Sequence, residues 1–335
     1  MATLTPASGR IGVASGLASK GQVGVSAWTE SAPAPERAEV PQMTEVHVNS
    51  IVVGVDGSPT SQRAVRWAAY LADRWSVPLE VLAAYGAPLT LEVFAGFSTR
   101  YSQQVHDAAR AHLDEGLAAA GEAAPGLTLV ERFVDRPPAR ALLEAGAADR
   151  LLVIGKHGAN RHRLGNLGSV TDQVVTHAHG PVVVIPADEA PALAGKRIVV
   201  GSDASPHSVA ALWFALEVAR AAGSPLTVLH GWGFDYLWMG APVAIEQRDI
   251  EELRDRSQEA LKAVAGPIVA RYPEVEVDWV LERNTPADAL RAAGESAGLI
   301  VVGRRGHGGF QALLLGSTSR ALTHAAPCPV AVIPS

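Results

Sequence analysis

The chain states one pattern twice. IVVGVDGSPTS at 51–61 returns as IVVGSDASPHS at 198–208, and PLEVL at 78 returns as PLTVL at 225, both at an offset of 147 residues. Further on, GKHG at 155 returns as GRRG at 303, the GS pair at 168 as GS at 316, and PVVVIP at 181 as PVAVIP at 329. Self-similarity over a span of domain size means a duplicated domain, so whatever fold is proposed has to be built twice. The later matches lie one residue further apart than the earlier ones. A single net insertion in the middle of the unit, at a surface loop or helix end, accounts for the change.

Within each copy, short runs of Val, Ile and Leu alternate with longer stretches of helical period. In the first, SIVVGVD, PLEVLAAY, LTLVERFV, RLLVIG and PVVVIP read as strands, with helices over roughly 59–75, 98–121, 138–148 and 168–178. The second repeats the order with RIVVGSD, PLTVLHGW, VEVDWVL, LIVVG and PVAVIP. Nearly continuous apolar strands joined by helices predict a parallel sheet covered on both faces, with right-handed crossovers. The expected class is therefore α/β, two tandem doubly wound domains. Ligands of such sheets sit at the carboxyl ends of the strands, where the strand order reverses.

The whole chain, at 335 residues, is long enough for two such domains. Its net charge of -6 argues against a polyanionic partner such as nucleic acid, so any positive site must be local. One cysteine, Cys328, excludes an intramolecular disulfide framework and a thiolate zinc cluster, and fits a reducing cytoplasm; it reads as a small core residue. The apolar runs are shorter than the roughly 18 residues needed to span a bilayer, and a soluble, cytoplasmic protein is expected. Residues 1–48 are built from Ala, Gly, Ser, Thr and Pro without a sustained period, and read as a disordered extension lacking the plan of a secretory signal. MTEVHVNSIVVGVD puts Met43 shortly before the first strand, so translation starting there is an alternative to Met1. The expected layout is a first domain over 49–187, a linker over 188–196 and a second domain over 197–335.

The loop after each fourth strand holds the chemistry. The first copy gives Gly155, two residues, Gly158, nine residues, then Gly168 and Ser169; the second gives Gly303, Gly306, Gly316 and Ser317 at the same spacing. Glycine lets backbone amides approach a ligand without a Cβ in the way. The Gly-Ser pair stands where the next helix begins, so free amides, the positive end of the helix dipole and a hydroxyl converge. That is an anion site, and phosphate is its natural anion. Lys156, His157, Arg161, His162 and Arg163 surround the first loop, and Arg304, Arg305 and His307 the second. Turn and cap chemistry alone would also produce such glycines. Their retention in both copies, while the nine residues between them differ (ANRHRLGNL against HGGFQALLL), favours a ligand.

Asp56 and Asp203 close the first strand of each copy. A carboxylate there can accept from a ribose hydroxyl or an adenine amine, or can cap the helix starting near Ser58 or Ser205. His177 and His179 form an H-x-H, but the second copy has Ala325 and Pro327 in its place, so solvated or capping histidines are expected and no metal site is assigned.

These residues resemble the ATP-binding branch of the universal stress proteins, in the glycine pattern and in the opening IVVGVDGS and closing PVVVIP strands, over about 50–186 and 197–334. The resemblance implies a tandem-domain bacterial member, each domain a five-stranded parallel sheet of order 3-2-1-4-5 of the adenine nucleotide alpha hydrolase-like type, with ATP at the carboxyl edge. It assigns the phosphates to Gly155, Gly158, Gly168, Ser169, Val170 and Thr171 in one copy, and to Gly303, Gly306, Gly316, Ser317, Thr318 and Ser319 in the other. Asp56 and Asp203 would contact the nucleoside. The strand position that presents a valine backbone to adenine in the family is Ala84 in one copy and Gly231 in the other. His157 stands where the family commonly has arginine, which Arg305 keeps. The family also pairs its fifth strands antiparallel, which here could happen within one chain; a homodimer of such chains stays open, and the protein partner is unknown.

No G-x-x-x-x-G-K-S/T occurs, and DGSPTS lacks the histidine and glycine loops of nucleotidyl-transferring relatives. The first reading is a non-catalytic, nucleotide-responsive stress regulator, with Mg2+ a reasonable companion of bound ATP. A slow ATPase or adenylate-transferring enzyme, and a dimerising scaffold with vestigial sites, are the alternatives.

Overall fold

A computed structural model describes residues 47–86, 99–159, 167–187, 193–232, 247–306 and 314–334. Most of the N-terminal extension, part of the linker, and Arg161, His162, Arg163 and His307 lie outside the described residues.

In the first copy the apolar runs form β1 (Ser50–Gly54), β2 (Leu79–Ala84), β3 (Leu129–Val134), β4 (Arg150–Gly155) and β5 (Val182–Ile185). The second gives β6 (Ile198–Gly201), β7 (Leu226–Gly231), β8 (Val277–Glu282), β9 (Leu299–Gly303) and β10 (Val330–Ile333). The helices, in chain order, are α1 (Pro59–Trp75), α2 (Thr99–Ala123), α3 (Pro138–Ala145), α4 (Ser169–His177), α5 (Pro206–Ala222), α6 (Gln247–Val269), α7 (Pro286–Ala293) and α8 (Ser317–Ala325). The helix predicted over 138–148 ends early, at Ala145, where Gly146 takes an extended conformation. The repeat offset locates the insertion: Leu79 and Leu226 lie 147 apart, whereas Leu129 and Val277 lie 148 apart, so the extra residue falls between the second and third strands.

Each copy is a parallel sheet of order 3-2-1-4-5, and the two are fused edge to edge. The ten strands run β3-β2-β1-β4-β5-β10-β9-β6-β7-β8. At the seam β5 meets β10 antiparallel, with Val183 opposite Ala331. Pairing there removes two apolar edges that would otherwise be open to association.

The period of two in the strands sorts their side chains into two layers. Ile51, Val53, Val183 and Ile185 join Ile198, Val200 and Ile333 in one cluster, beneath Leu71 of α1 and Phe214 of α5. Val52, Leu152, Val182 and Val184 join Val199, Ile300 and Val332 in the other, with Leu142 of α3 and Leu290 of α7. Both layers run across the seam, so the copies share one apolar interior on each face of the sheet. No helix among the described residues is long and apolar enough to cross a membrane.

Candidate nucleotide sites at the carboxyl edge

The two helices that follow the first and fourth strands of each copy start differently. Ser58 caps α1 through its hydroxyl, which accepts from the Ser61 N–H at 3.1 Å, and Pro59 opens the helix. Ser205 caps α5 in the same way, from Ser208 N–H at 3.2 Å. By contrast α4 begins on Gly168 and α8 on Gly316, neither with a side-chain cap. Their first-turn amides have no acceptor from the capping residue, and Ser169 and Ser317 stand exposed at the opening. An anion placed there would meet unsatisfied donors and the positive end of the dipole.

Both starts are held against the loop before them. Gly168 N–H donates to the Lys156 carbonyl at 2.9 Å, and Gly316 N–H to the Arg304 carbonyl at 2.8 Å. The Thr171 hydroxyl donates to the Gly155 carbonyl at 2.8 Å and the Ser319 hydroxyl to that of Gly303 at 2.7 Å. Both side chains are buried, so any donation by Thr171 or Ser319 to a phosphate falls to their backbone amides. Val170 and Thr318 are half-buried on the same first turns.

Asp56 lies where the strand order reverses, between the ends of β1 and β4. Its Oδ1 accepts Ser58 N–H at 3.0 Å and its Oδ2 accepts Ala159 N–H at 2.8 Å. The corresponding Asp203 Oδ1 accepts Ser205 N–H at 3.0 Å. Both carboxylates therefore form an Asx turn ahead of the serine cap rather than capping the helix themselves.

The glycines answer first to the protein's own packing. A methyl at Gly158 would stand 2.5 Å from Asp56 Oδ2, and one at Gly306 2.6 Å from Asp203 Oδ2. At Gly155 it would meet Thr60 Cγ2 of α1 at 2.9 Å. Whether or not a phosphate approaches, the loop needs these glycines to lie on the turn between the first strand and the first helix of its copy. Gly231 has a similar explanation, because a Cβ there would stand 2.7 Å from Cα of Pro286 at the start of α7. Ala84, half-buried at the end of β2, keeps its methyl.

The basic residues divide in a way the sequence did not announce. His157 and Arg305 stay partly exposed beside their loops. Lys156 instead sends its ammonium across the seam to the His324 carbonyl in the last turn of α8, and Arg304 donates to the Ala178 carbonyl, the C-cap of α4, at 2.8 Å. Each of these two side chains thus bonds the end of a helix in the opposite copy. Burial pulls the Arg304 guanidinium below its ordinary value, with Arg305 adding to the effect. Burial also lowers the His324 imidazole; Asp172 opposes this, while Arg320 and Lys156 reinforce it.

Sequence reasoning also missed the aromatic wall of the first copy. Tyr85 stacks on Phe133 with centroids 4.6 Å apart, and His106 of α2 meets both edge-on at 5.1 Å. His112, two turns along α2, packs over Gly57: a methyl there would lie 2.3 Å from its Nε2. The available signal was Tyr85 directly after a strand, followed by a histidine-bearing helix. The second copy has Trp232 and Leu281 in the positions of Tyr85 and Phe133. Of the H-x-H pair, both His177 and His179 are exposed, as expected of solvated histidines. Cys328 is buried beneath Gly294, as expected of a core residue.

A tandem doubly wound α/β protein with two helix starts that lack a side-chain cap at its switch points is the class these features define. The universal stress protein family matches the sequence twice, over residues 47–186 and 195–334. Universal stress protein Rv1996 of Mycobacterium tuberculosis is 33% identical over 319 residues, covering 84% of this chain and 94% of its own length. Universal stress protein Rv2005c of the same organism is 30% identical over 289 residues, covering 85% and 96%. A universal stress protein structure from Archaeoglobus fulgidus superposes with a TM-score of 0.60 at 21% identity, covering 86% of this chain and 97% of that one. The chain belongs to the universal stress protein family.

Proposed function

We propose that this universal stress protein binds an adenine nucleotide, ATP foremost, at each of its two carboxyl-edge sites and acts as a non-catalytic regulator whose state follows nucleotide supply. One observation carries the reading. In both copies a helix start without a side-chain cap and with an exposed serine lies beside a glycine loop and an aspartate at the point where the strand order reverses. Phosphates would take the amides of Ser169 to Thr171 and of Ser317 to Ser319, and Asp56 and Asp203 would turn to the ribose or base. Among the described residues no three His, Cys, Asp or Glu side chains converge, so Mg2+ arriving with ATP would be held by phosphate and water.

Calorimetric titration of the full chain with ATP, ADP and AMP tests this, with saturable heat expected. No heat with any of the three would leave the scaffold reading, which the fused sheet supports. Phosphate release measured in parallel separates regulator from slow ATPase. The control is the Ser169→Asp, Ser317→Asp pair, because a carboxylate at an exposed helix start suits the helix but repels phosphate. Gly155→Ala is a poor control, since its methyl would strike Thr60 with or without a ligand.

A further inference from the structure

Two side-chain hydrogen bonds across the seam, from Lys156 and from Arg304, form part of a closed circuit. Starting in the first loop, the Lys156 side chain holds the His324 carbonyl at the end of α8. The start of that helix is held by Gly316 N–H on the Arg304 carbonyl. The Arg304 side chain then holds the Ala178 carbonyl at the end of α4, and the start of α4 is held by Gly168 N–H on the Lys156 carbonyl. Each glycine loop thus grips the start of its own helix by a main-chain carbonyl and the end of the other copy's helix by a cationic side chain.

We propose that Lys156 and Arg304 are positioning residues, each setting the phosphate-facing helix of the opposite copy, so that the two sites fill as a coupled pair. The proposal rests on the nucleotide reading for its ligand but not for its geometry. Both helices are nine residues long, about 13 Å at 1.5 Å per residue, and one such short rod carries a displacement of its last turn to its first. Buried Val174 and Val175 anchor α4, and buried Leu322 and Thr323 anchor α8, so each moves as a packed unit. A cation at the carboxyl end also complements the dipole whose amino end faces the phosphate. When a nucleotide draws the first loop inward, Lys156 moves with it and takes the end of α8 along; Arg304 does the same to α4. Linkage makes any such coupling reciprocal. The repeat comparison supports a selected role: the position keeps a long cationic side chain in both copies, Lys156 and Arg304, while the next residue changes from His157 to Arg305.

Lys156, Arg320 and Asp172 act on His324, and Arg305 acts on Arg304. Methionine is the replacement of choice, because it keeps the length and packing of the stem while removing the donor.

Hydrogen exchange on the full chain without nucleotide is the first test. Lys156→Met is expected to speed exchange across α8 more than α4, and Arg304→Met across α4 more than α8. Changes confined to the helix of the substituted copy, or no change in either, would overturn the assignment whether or not ATP binds. The second test isolates one site. In the Ser169→Asp background, Lys156→Met should weaken ATP at the remaining second-copy site on the order of five-fold, with Lys156→Arg restoring it. An unchanged dissociation constant would overturn the coupling. A wild-type chain that takes up no ATP would sink the nucleotide reading instead, and the exchange result alone would then decide the positioning role.

Discussion

Asp56 Oδ2 accepts the backbone N–H of Ala159 at 2.8 Å, joining the end of the first strand to a loop 103 residues later. The carboxylate proposed for the nucleoside therefore already holds the loop proposed for the phosphates, and Gly158 must lack a side chain for it to do so. Gly158→Ala should lower stability by about 2 kcal/mol, since the methyl meets a side-chain oxygen that backbone N–H groups of Ser58 and Ala159 hold in place. Made in an Asp56→Ala background, the same change should cost at least about 1 kcal/mol less, because the obstacle is gone. Urea unfolding of the four proteins checks the cycle; equal costs in both backgrounds would contradict the contact.

The seam is the next point of attack. Val183 is fully buried on β5, flanked by β4 on one side and β10 on the other, so its N–H has no route to solvent. Val183→Pro removes a ladder bond from the middle of the fused sheet and should cost roughly 3 kcal/mol or more. A lower melting temperature and heavier species in sedimentation are expected. Melting and solubility equal to the wild type would count against the joined sheet.

Two positions show the copies exchanging a backbone strain. The turn after the first strand takes positive φ at Gly57 in one copy and at Ala204, φ 58, in the other. The cap ending the first helix is left-handed at Ser76, φ 55, and at Gly223, φ 60. Ala204→Gly and Ser76→Gly each place glycine where the sister copy already has it, and should each add up to about 1 kcal/mol. A rise in melting temperature of about 2 °C for each is the expected reading. The reverse change, Gly57→Ala, should cost more than Ala204→Gly gains, because His112 occupies the space of the new methyl.

The single cysteine gives a pH prediction. Burial raises the Cys328 thiol from its ordinary 9.0 to about 12, since the interior disfavours the thiolate. The native thiol should resist an aromatic disulfide reagent at pH 8 and react only after unfolding. A folded-state value above the unfolded one means that the associated stability is whole below about pH 9 and falls as pH climbs toward 12. Cys328→Ala should flatten that alkaline decline; rapid labelling of the folded chain would contradict the burial.

Much of this was readable from the sequence, for identifiable reasons. Two-fold repetition of five apolar runs specifies ten strands, parallel within each copy, and the spacing from Gly155 to Ser169 specifies a loop running into a helix start. What sequence could not supply is direction. Lys156 and Arg304 look like phosphate ligands because they sit among the glycines, yet their side chains cross to the opposite copy, a choice made by the seam. Thr171 and Ser319 likewise have hydroxyls that turn inward to Gly155 and Gly303. Glycine at 158, 306 and 231 is demanded by neighbours far away in the chain, Asp56, Asp203 and Pro286, the last about a domain's third downstream of its partner. Tyr85, His106 and Phe133 meet only because β2, α2 and β3 are layered together.

Amide exchange with and without saturating ATP tests the central claim most directly. The account predicts slowed exchange in both copies at 155–159, 168–171, 303–306 and 316–319, with the remainder of the sheet unchanged. Saturating ATP that leaves both glycine segments and both helix starts as open as before would contradict it.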